Sequence, residues 1–287
     1  MTGSADLARE IATQSLNATG LALAHGDHAG FARYVGLPYS LGTEDGATMM
    51  DTPEAVRNVF DRAVDSYATF GITRLDRTVS AARFIDPDTI AASHMTQPVC
   101  GTEPLDVPYP NHVILRRQAS DWKVAHGQHV VGHMQGHSRV ILGAAMRDAP
   151  DDMIDILRDV VHRFGNAQLE GDFNALRRCV NLPFFLHGRN TTEMVETEVQ
   201  LRAGFDQRMT RFKVRGISDV VRLVKSVALL GPGRMHGVVR THILNGSTLV
   251  VPSYTTAVTL LCGPDAIWRL CSACNPHRLN ELPHRHT

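Results

Sequence analysis

Apolar residues recur first with a helical period and then with a strand period, and the chain runs through that order twice. In the first pass Leu7, Ile11, Leu21 and Leu23 predict a helix over 5–25, ending near Gly20 and Gly26. Asp27 is placed to cap a short second helix carrying Phe31 and Val35. That helix must stop before Leu37-Pro38, because the residue ahead of a proline disfavours helical backbone. A short extended segment follows Pro38. Thr52-Pro53-Glu54 then opens a third helix, with Thr as cap and Pro at the first position. Val56, Phe60, Val64 and Tyr67 share its inner face, and Gly71 ends it. Everything after Gly71 is patterned as strand: 72–85, 90–99, 109–117 and 122–131, with turns at Asp86-Pro87-Asp88 and Gly101.

The second pass repeats the order. Ile154, Leu157, Val161 and Phe164 stripe a helix over 152–170, and Asp172 caps a short helix with Leu176 and Val180. A helix from Thr197 carries Leu201, Phe205 and Met209 and ends at Gly216. Strands follow at 217–230, 235–245, 254–262 and 267–274, with a turn at Gly231-Pro232-Gly233. The two passes are in register. Gly26-Asp27 matches Gly171-Asp172, an offset of 171 − 26 = 145, and Leu37-Pro38, Phe60-Asp61, Gly71-Ile72, Gly101 and Tyr109 all recur at the same offset. Laid without a gap, 26–116 and 171–261 share 22 identities in 91 positions, so the chain is a tandem duplication. The expected domains are 1–131 and 151–287, joined by a linker 132–150 that Gly132, Gly136, Gly143 and Pro150 keep irregular. A repeat of about 145 residues is a whole domain rather than a solenoid unit. Leu37 and Leu182 are expected to be buried where the second helix turns into the first strand.

Composition narrows the partners. Lys plus Arg and Asp plus Glu are both 29, so the net charge is zero and no field draws in nucleic acid or an anionic membrane. Near-zero charge eases association, which leaves further homo-oligomerisation open. The start, MTGSADLARE, lacks the basic and apolar regions of a signal peptide, and no apolar run approaches a membrane span. Five unevenly spread Cys make no disulfide framework. The expectation is a soluble cytoplasmic protein. With no phosphate-binding loop, dinucleotide turn or Gly-x-Ser-x-Gly elbow, no cofactor is expected.

Helix, helix, short strand, helix and then a run of long strands is an α+β domain with helices on one face of a sheet. The helix pair around Gly-Asp, the third helix ending at Gly71 or Gly216, and a meander with Trp122 or Trp268 in its last strand resemble the nuclear transport factor 2-like superfamily. That superfamily includes ketosteroid isomerases and SnoaL-like polyketide cyclases. The resemblance covers nearly the whole chain, twice. It implies two cone-shaped domains, each a curved, mostly antiparallel sheet around a long helix, with an apolar pocket in the cone. It also implies that the two halves pair sheet to sheet as an intramolecular pseudo-dimer. In that case residues 1–140 alone should aggregate; a stable soluble monomer would overturn the pairing.

The resemblance does not carry over a catalytic acid. Asp76 is almost the only mid-strand acid of the first half, and its copy is Val221. Asp61 and Asp206 lie on the third helix and are expected to pair with Arg57 and Arg202, four residues earlier. Histidine is the better candidate for acid–base work. His94, His112 and His126 fall in three strands of the first half, and their copies are Val239, Ala257 and Ser272, so any such site belongs to the first half. They are the catalytic candidates, against the plainer reading of surface or hydrogen-bonded histidines. Tyr109 and Tyr254, at equivalent strand starts, and Thr96, kept as Thr241, are the ligand-binding candidates; the tyrosines could equally anchor the sheets. In the second half His236 and His242 share one strand, with no third strand contributing.

No metal is expected. His126, His129, His133 and His137 have helical spacing, but Gly127, Gly132 and Gly136 make a helix unsuitable there. Cys271 and Cys274, with His277 nearby, would point to opposite faces of a strand. The function expected from the sequence is binding of a small, largely apolar molecule in a cone pocket, with isomerase-, cyclase- or hydrolase-like chemistry open to it. The alternative is a non-catalytic scaffold or accessory protein that uses the sheet surface.

Overall fold

The computed structural model describes residues 2–43, 45–105, 108–129, 142, 150–188, 192–231 and 233–275. The chain divides into two compact units, 1–146 with 190–193 and 147–189 with 194–287. Each is α+β. The first contains α1 (Thr2–His25), α2 (His28–Ala32), β1 (Val35–Thr43), β2 (Gly46–Met50), α3 (Pro53–Thr69), β3 (Arg74–Asp86), β4 (Thr89–Cys100), β5 (Glu103–Pro104), β6 (Tyr109–Gln118) and β7 (Asp121–His129). The second contains α4 (Asp151–Glu170), α5 (Phe173–Cys179), β8 (Val180–His187), the end of β9 (Thr192–Val195, a strand of the second sheet), α6 (Glu198–Val214), β10 (Asp219–Leu229), β11 (Arg234–Asn245), β12 (Thr248–Leu249), β13 (Tyr254–Cys262) and β14 (Trp268–Cys274).

The strand order is β2-β1-β7-β6-β4-β3 in the first sheet and β9-β8-β14-β13-β11-β10 in the second, which is one topology used twice. Neighbours are antiparallel except where β1 runs parallel to β7 and β8 to β14. Those parallel pairs bring the first strand of each unit back beside its last. The hairpin partner β2 has no counterpart in the sequence reading, because Gly46–Met50 is too short to show a period.

Local chemistry sets the helix ends. Asp27 Oδ1 accepts from the Gly30 amide and Asp172 Oδ1 from the Ala175 amide, both at 2.9 Å, which satisfies donors that a helix start leaves orphaned. Thr52 caps α3 at 3.1 Å, and Thr197 and Gln200 form a capping box on α6. Gly71 and Gly216 follow the third helices with φ +69° and +60°, a left-handed turn that glycine adopts without strain. In α3, Val56, Val59, Phe60, Ala63 and Tyr67 are buried, and in α1 Ala8, Ala12, Leu16 and Leu23 form the matching stripe. Both helices feed one core with Leu75, Ile90, Val113 and Leu115 of the sheet. The second unit has its own core around Leu157, Phe184, Phe205 and Leu260.

The Leu-Pro motif is a correction. Leu37 is 36% exposed and Leu182 only half-buried. Between Val35 and Ser40 the β1–β7 register slips: five residues advance on β1 while two advance on β7, so Leu37-Pro38 loops out of the ladder. Val180 and Phe185 bracket the same slip in the second sheet. Both Leu-Pro bonds are cis. Arg57–Asp61 and Arg202–Asp206 are exposed pairs within α3 and α6, at 3.5 and 3.2 Å.

Candidate ligand cavity

In the first unit α1, α2 and α3 do not close completely on the sheet. The gap is a cavity of about 70 Å³, on a scale where one water needs roughly 10–15 Å³. Its walls are largely apolar: Leu16 and Leu23 from α1, Phe31 from α2, Val56, Val59, Phe60 and Ala63 from α3, and Val113 and Val124 from the sheet. The polar groups stand out against that wall. They are Tyr39, Tyr67, Arg77, His94, Tyr109 and His129, with Thr19 and Thr43. No Asp or Glu is among the described residues that line it.

Strand register sorts the sheet's contribution into two neighbouring rows. Arg77 on β3 pairs with Thr96 on β4, which pairs with Tyr109 on β6. Two residues along, His94 on β4 pairs with Asn111 on β6, which pairs with His129 on β7. Hydrogen bonds tie the rows together. Asn111 Oδ1 lies 2.6 Å from His129 Nδ1, and Asn111 Nδ2 donates to Thr96 Oγ1 at 2.8 Å. The Asn111 amide thus fixes the His129 ring from behind the cavity wall. Gly127 makes room beside it: a Cβ there would stand 3.1 Å from the Tyr39 hydroxyl and 3.3 Å from His129 Nε2.

The three phenols are neutral donors. Burial pushes Tyr39 up to about 12, with Arg77 opposing, and burial likewise raises Tyr67. Tyr109 lies well above the usual phenol range, because burial dominates and Tyr67 adds to it. The Tyr67 and Tyr109 hydroxyls are hydrogen-bonded to each other. Arg77, the one Lys or Arg among the described lining residues, is anchored by Nη1 to the Leu16 carbonyl at 3.0 Å and the Thr19 hydroxyl at 2.9 Å.

Of the sequence candidates, His94, Tyr109 and Thr96 lie on these rows. His94 is 1% exposed and lines the cavity; Thr96 is buried beneath it as an acceptor for Asn111. His112 and His126 do not join them. Tyr109 and Val113 face the cavity, so period two turns His112 to the other face of the sheet. A bulge between Val124 and His126 does the same to His126. There His112 Nδ1 meets the Ala92 carbonyl at 3.1 Å, His126 Nδ1 meets Ser40 Oγ at 2.9 Å, and the rings pack edge-on with centroids 6.3 Å apart. The three histidines therefore do not line one pocket. The bulge that turns His126 away is also what brings His129 in.

Arg77, Tyr39, Tyr67, Asn111 and His129 were not proposed as ligand-binding residues from the sequence. One signal was available. At the offset of 145, Arg77 recurs as Arg222, just as Thr96 recurs as Thr241 and Tyr109 as Tyr254. The second sheet keeps that whole row: Arg222 pairs with Thr241 and Thr241 with Tyr254. Tyr254 is buried in a core with Phe212, Val220 and Ile243, and its hydroxyl accepts from Asn275 Nδ2 at 3.5 Å. The rest of the polar lining is lost. Phe184, Phe212 and Val239 stand where the first unit has Tyr39, Tyr67 and His94, and Phe184 and Val239 are buried.

Other candidates resolve simply. Asp76 is exposed on β3 and bound by Arg74 Nε at 2.6 Å, which holds its carboxyl below the usual range. His126 and His129 face opposite sides of β7, while His133 and His137 lie outside the described residues. Among the described residues no group of three His, Cys, Asp or Glu is placed to hold a metal. Cys271 and Cys274 are buried thiols outside any disulfide, burial pushing Cys271 up to about 11, and His277 is outside the described residues. His236 is buried, and His242 Nδ1 lies 2.6 Å from Ser253 Oγ. No helix among the described residues is long and apolar enough to cross a membrane.

No protein-family model and no curated protein sequence matches the chain. Solved structures do. A protein of unknown function with a cystatin-like fold from Nostoc punctiforme is 13% identical over 43% of this chain and 90% of its own, with a TM-score of 0.37. A second Nostoc punctiforme domain of that description is 15% identical over 57% of this chain and 92% of its own, TM-score 0.36. A nuclear transport factor 2-like protein of unknown function from Shewanella oneidensis is 12% identical over 42% of this chain and 96% of its own, TM-score 0.33. On its own strand order and helix placement, each unit has the α+β architecture that the sequence resemblance implies, so the chain resembles the nuclear transport factor 2-like fold twice in tandem.

Proposed function

We propose that the first unit binds a small, largely apolar molecule in the cavity between its helices and its sheet, holding one polar end of the ligand against Arg77, Tyr67 and Tyr109. The observation that carries this reading is the concentration of donors in an otherwise apolar wall. Pockets with a few convergent polar groups are where ligands are oriented. Neutral phenols and a guanidinium donate, so they suit an acceptor oxygen on the ligand.

His94 is the group we assign to proton transfer in such a site. It is the sequence candidate on the cavity face, and general acid–base work requires an imidazole within about 3 Å of the proton moved. His129, oriented by Asn111, is a second imidazole on the same row.

Calorimetric titration of the full chain with a panel of small apolar ketones, esters and acids tests the reading. Ala63→Phe, which inserts a ring from α3 into the cavity, is the control. At least one compound should bind the parent protein, and Ala63→Phe should weaken it at least tenfold. A panel with no binder, or a binder indifferent to Ala63→Phe, overturns the proposal.

A further inference from the structure

The least expected group in the cavity is the cation. Arg77 reaches in from β3, an edge strand, and its guanidinium lies against α1 beside Gly20. A Cβ on that glycine would be 3.6 Å from Arg77 Cδ and from Cζ. Nη1 is held by the Leu16 carbonyl and the Thr19 hydroxyl, both neutral acceptors. Nε is buried and has no hydrogen-bond partner. The acid adjacent to it on β3, Asp76, points to the other side of the strand and is engaged by Arg74 through both carboxylate oxygens, at 2.6 and 3.0 Å. The charge is thus positioned rigidly in an apolar wall, and no carboxylate among the described lining residues balances it. Arg77 is half-buried, and a charge that gives up part of its hydration without a counter-ion carries a desolvation cost.

The second unit provides the contrast. Its Arg222 occupies the equivalent place, but the residues around it differ. Gln168 Oε1 accepts from Nη2 at 3.2 Å, and the Phe164 ring lies under the guanidinium at 5.8 Å. At the offset of 145 those two residues replace Leu23 and Thr19. The second unit thus sets a glutamine amide against Nη2, where the first has an apolar leucine facing the cavity, although Arg222 Nη1 is itself buried without a hydrogen-bond partner.

We infer that the ligand of this cavity carries a carboxylate and that Arg77 receives it. The inference rests on the proposed ligand-binding reading and names the ligand's chemical class. A planar guanidinium presents donors in a fork that matches the two oxygens of a carboxylate. The Tyr39 and Tyr67 hydroxyls in the same cavity are further donors to such an anion, while Tyr109 donates to Tyr67. The apolar walls then take the remainder, which makes the ligand a small aryl or alkyl carboxylic acid rather than a polyanion.

The test compares matched acids and amides on the full chain by calorimetry at neutral pH: trans-cinnamate against cinnamamide, 4-phenylbutanoate against 4-phenylbutanamide, and octanoate against octanamide. In at least one pair the acid should bind the parent protein at least tenfold more tightly than its amide. Arg77→Met should abolish that preference, and an unchanged far-UV circular dichroism spectrum with a cooperative urea transition shows that the variant is folded. Equal binding of acid and amide by the parent protein overturns the carboxylate and leaves the cavity reading standing, without needing any variant. A preference that survives Arg77→Met overturns the role of Arg77. Should neither member of any pair bind while a ketone or ester of the wider panel does, the carboxylate is again overturned. If nothing binds at all, the cavity reading falls and the carboxylate with it.

Discussion

At the scale of single residues, the site is a set of polar groups whose ionisation is set by burial. Tyr39 is the clearest case. It is 7% exposed, and burial pushes its hydroxyl up to about 12. Unfolded, it would ionise near 10. Between those values the unfolded chain gives up a proton that the folded chain keeps, so stability is fully present below pH 10 and is lost as pH rises towards 12. Tyr39 alone should cost about 1.4 kcal/mol between pH 9 and pH 11, at about 1.36 kcal/mol per unit. Tyr39→Phe, the residue the second unit uses at Phe184, should remove that part of the alkaline loss. Urea midpoints at the two pH values measure it, and identical losses in parent and variant would mean that Tyr39 is not held neutral by the fold. The same scale shows what the sequence could and could not reveal. Thr96 and Tyr109 were legible because the duplication repeats them, and Arg77 was equally legible by that criterion. His129 was not, since its side depends on a bulge that no periodicity announces.

At the scale of elements, legibility followed periodicity and punctuation. The third helix was readable from Thr52-Pro53, its apolar face and Gly71, and the structure starts it at Pro53 and ends it at Thr69. The long strands were readable within a few residues, because alternation over ten or so positions is a strong signal. The segment after Pro38 was not. Its pairing is split between an antiparallel hairpin with β2 and a slipped parallel ladder with β7, both non-local or too short to leave a pattern. That slip leads to an unequal pair of truncations. Phe60 is 2% exposed and packs on the Phe31 ring with centroids 5.0 Å apart, so Phe60→Ala should cost about 3–5 kcal/mol. Leu37→Ala, at a position looped out of the ladder, should stay under about 1 kcal/mol. Chemical unfolding of both variants checks the pair, and a large loss for Leu37→Ala would put that residue back in the core.

At the scale of the whole chain, duplication has given two units with one topology and unequal interiors. The strand order is the same in both, and so is the Arg–Thr–Tyr row. Around that row the second unit is more apolar. Phe184 and Phe212 replace two phenols, Val239 replaces His94, and Ala273, paired in its ladder as Gly127 is, adds a methyl group where the first unit leaves room for Tyr39 and His129. Arg222 is correspondingly less at ease than a free arginine, with burial pushing its guanidinium down to about 10. Binding is therefore expected in one unit of each chain. A ligand found by the panel should titrate at one per chain, and it should raise the unfolding temperature of the first unit by mass action while leaving that of the second where it was. Hydrogen exchange with and without the ligand assigns the effect: added protection should fall on α1, α3 and β4–β7 and should be absent from α4, α6 and β11–β14. Two ligands per chain, or equal protection of the second unit, would show that Arg222 still serves a working cavity and that the phenols and His94 are dispensable for binding.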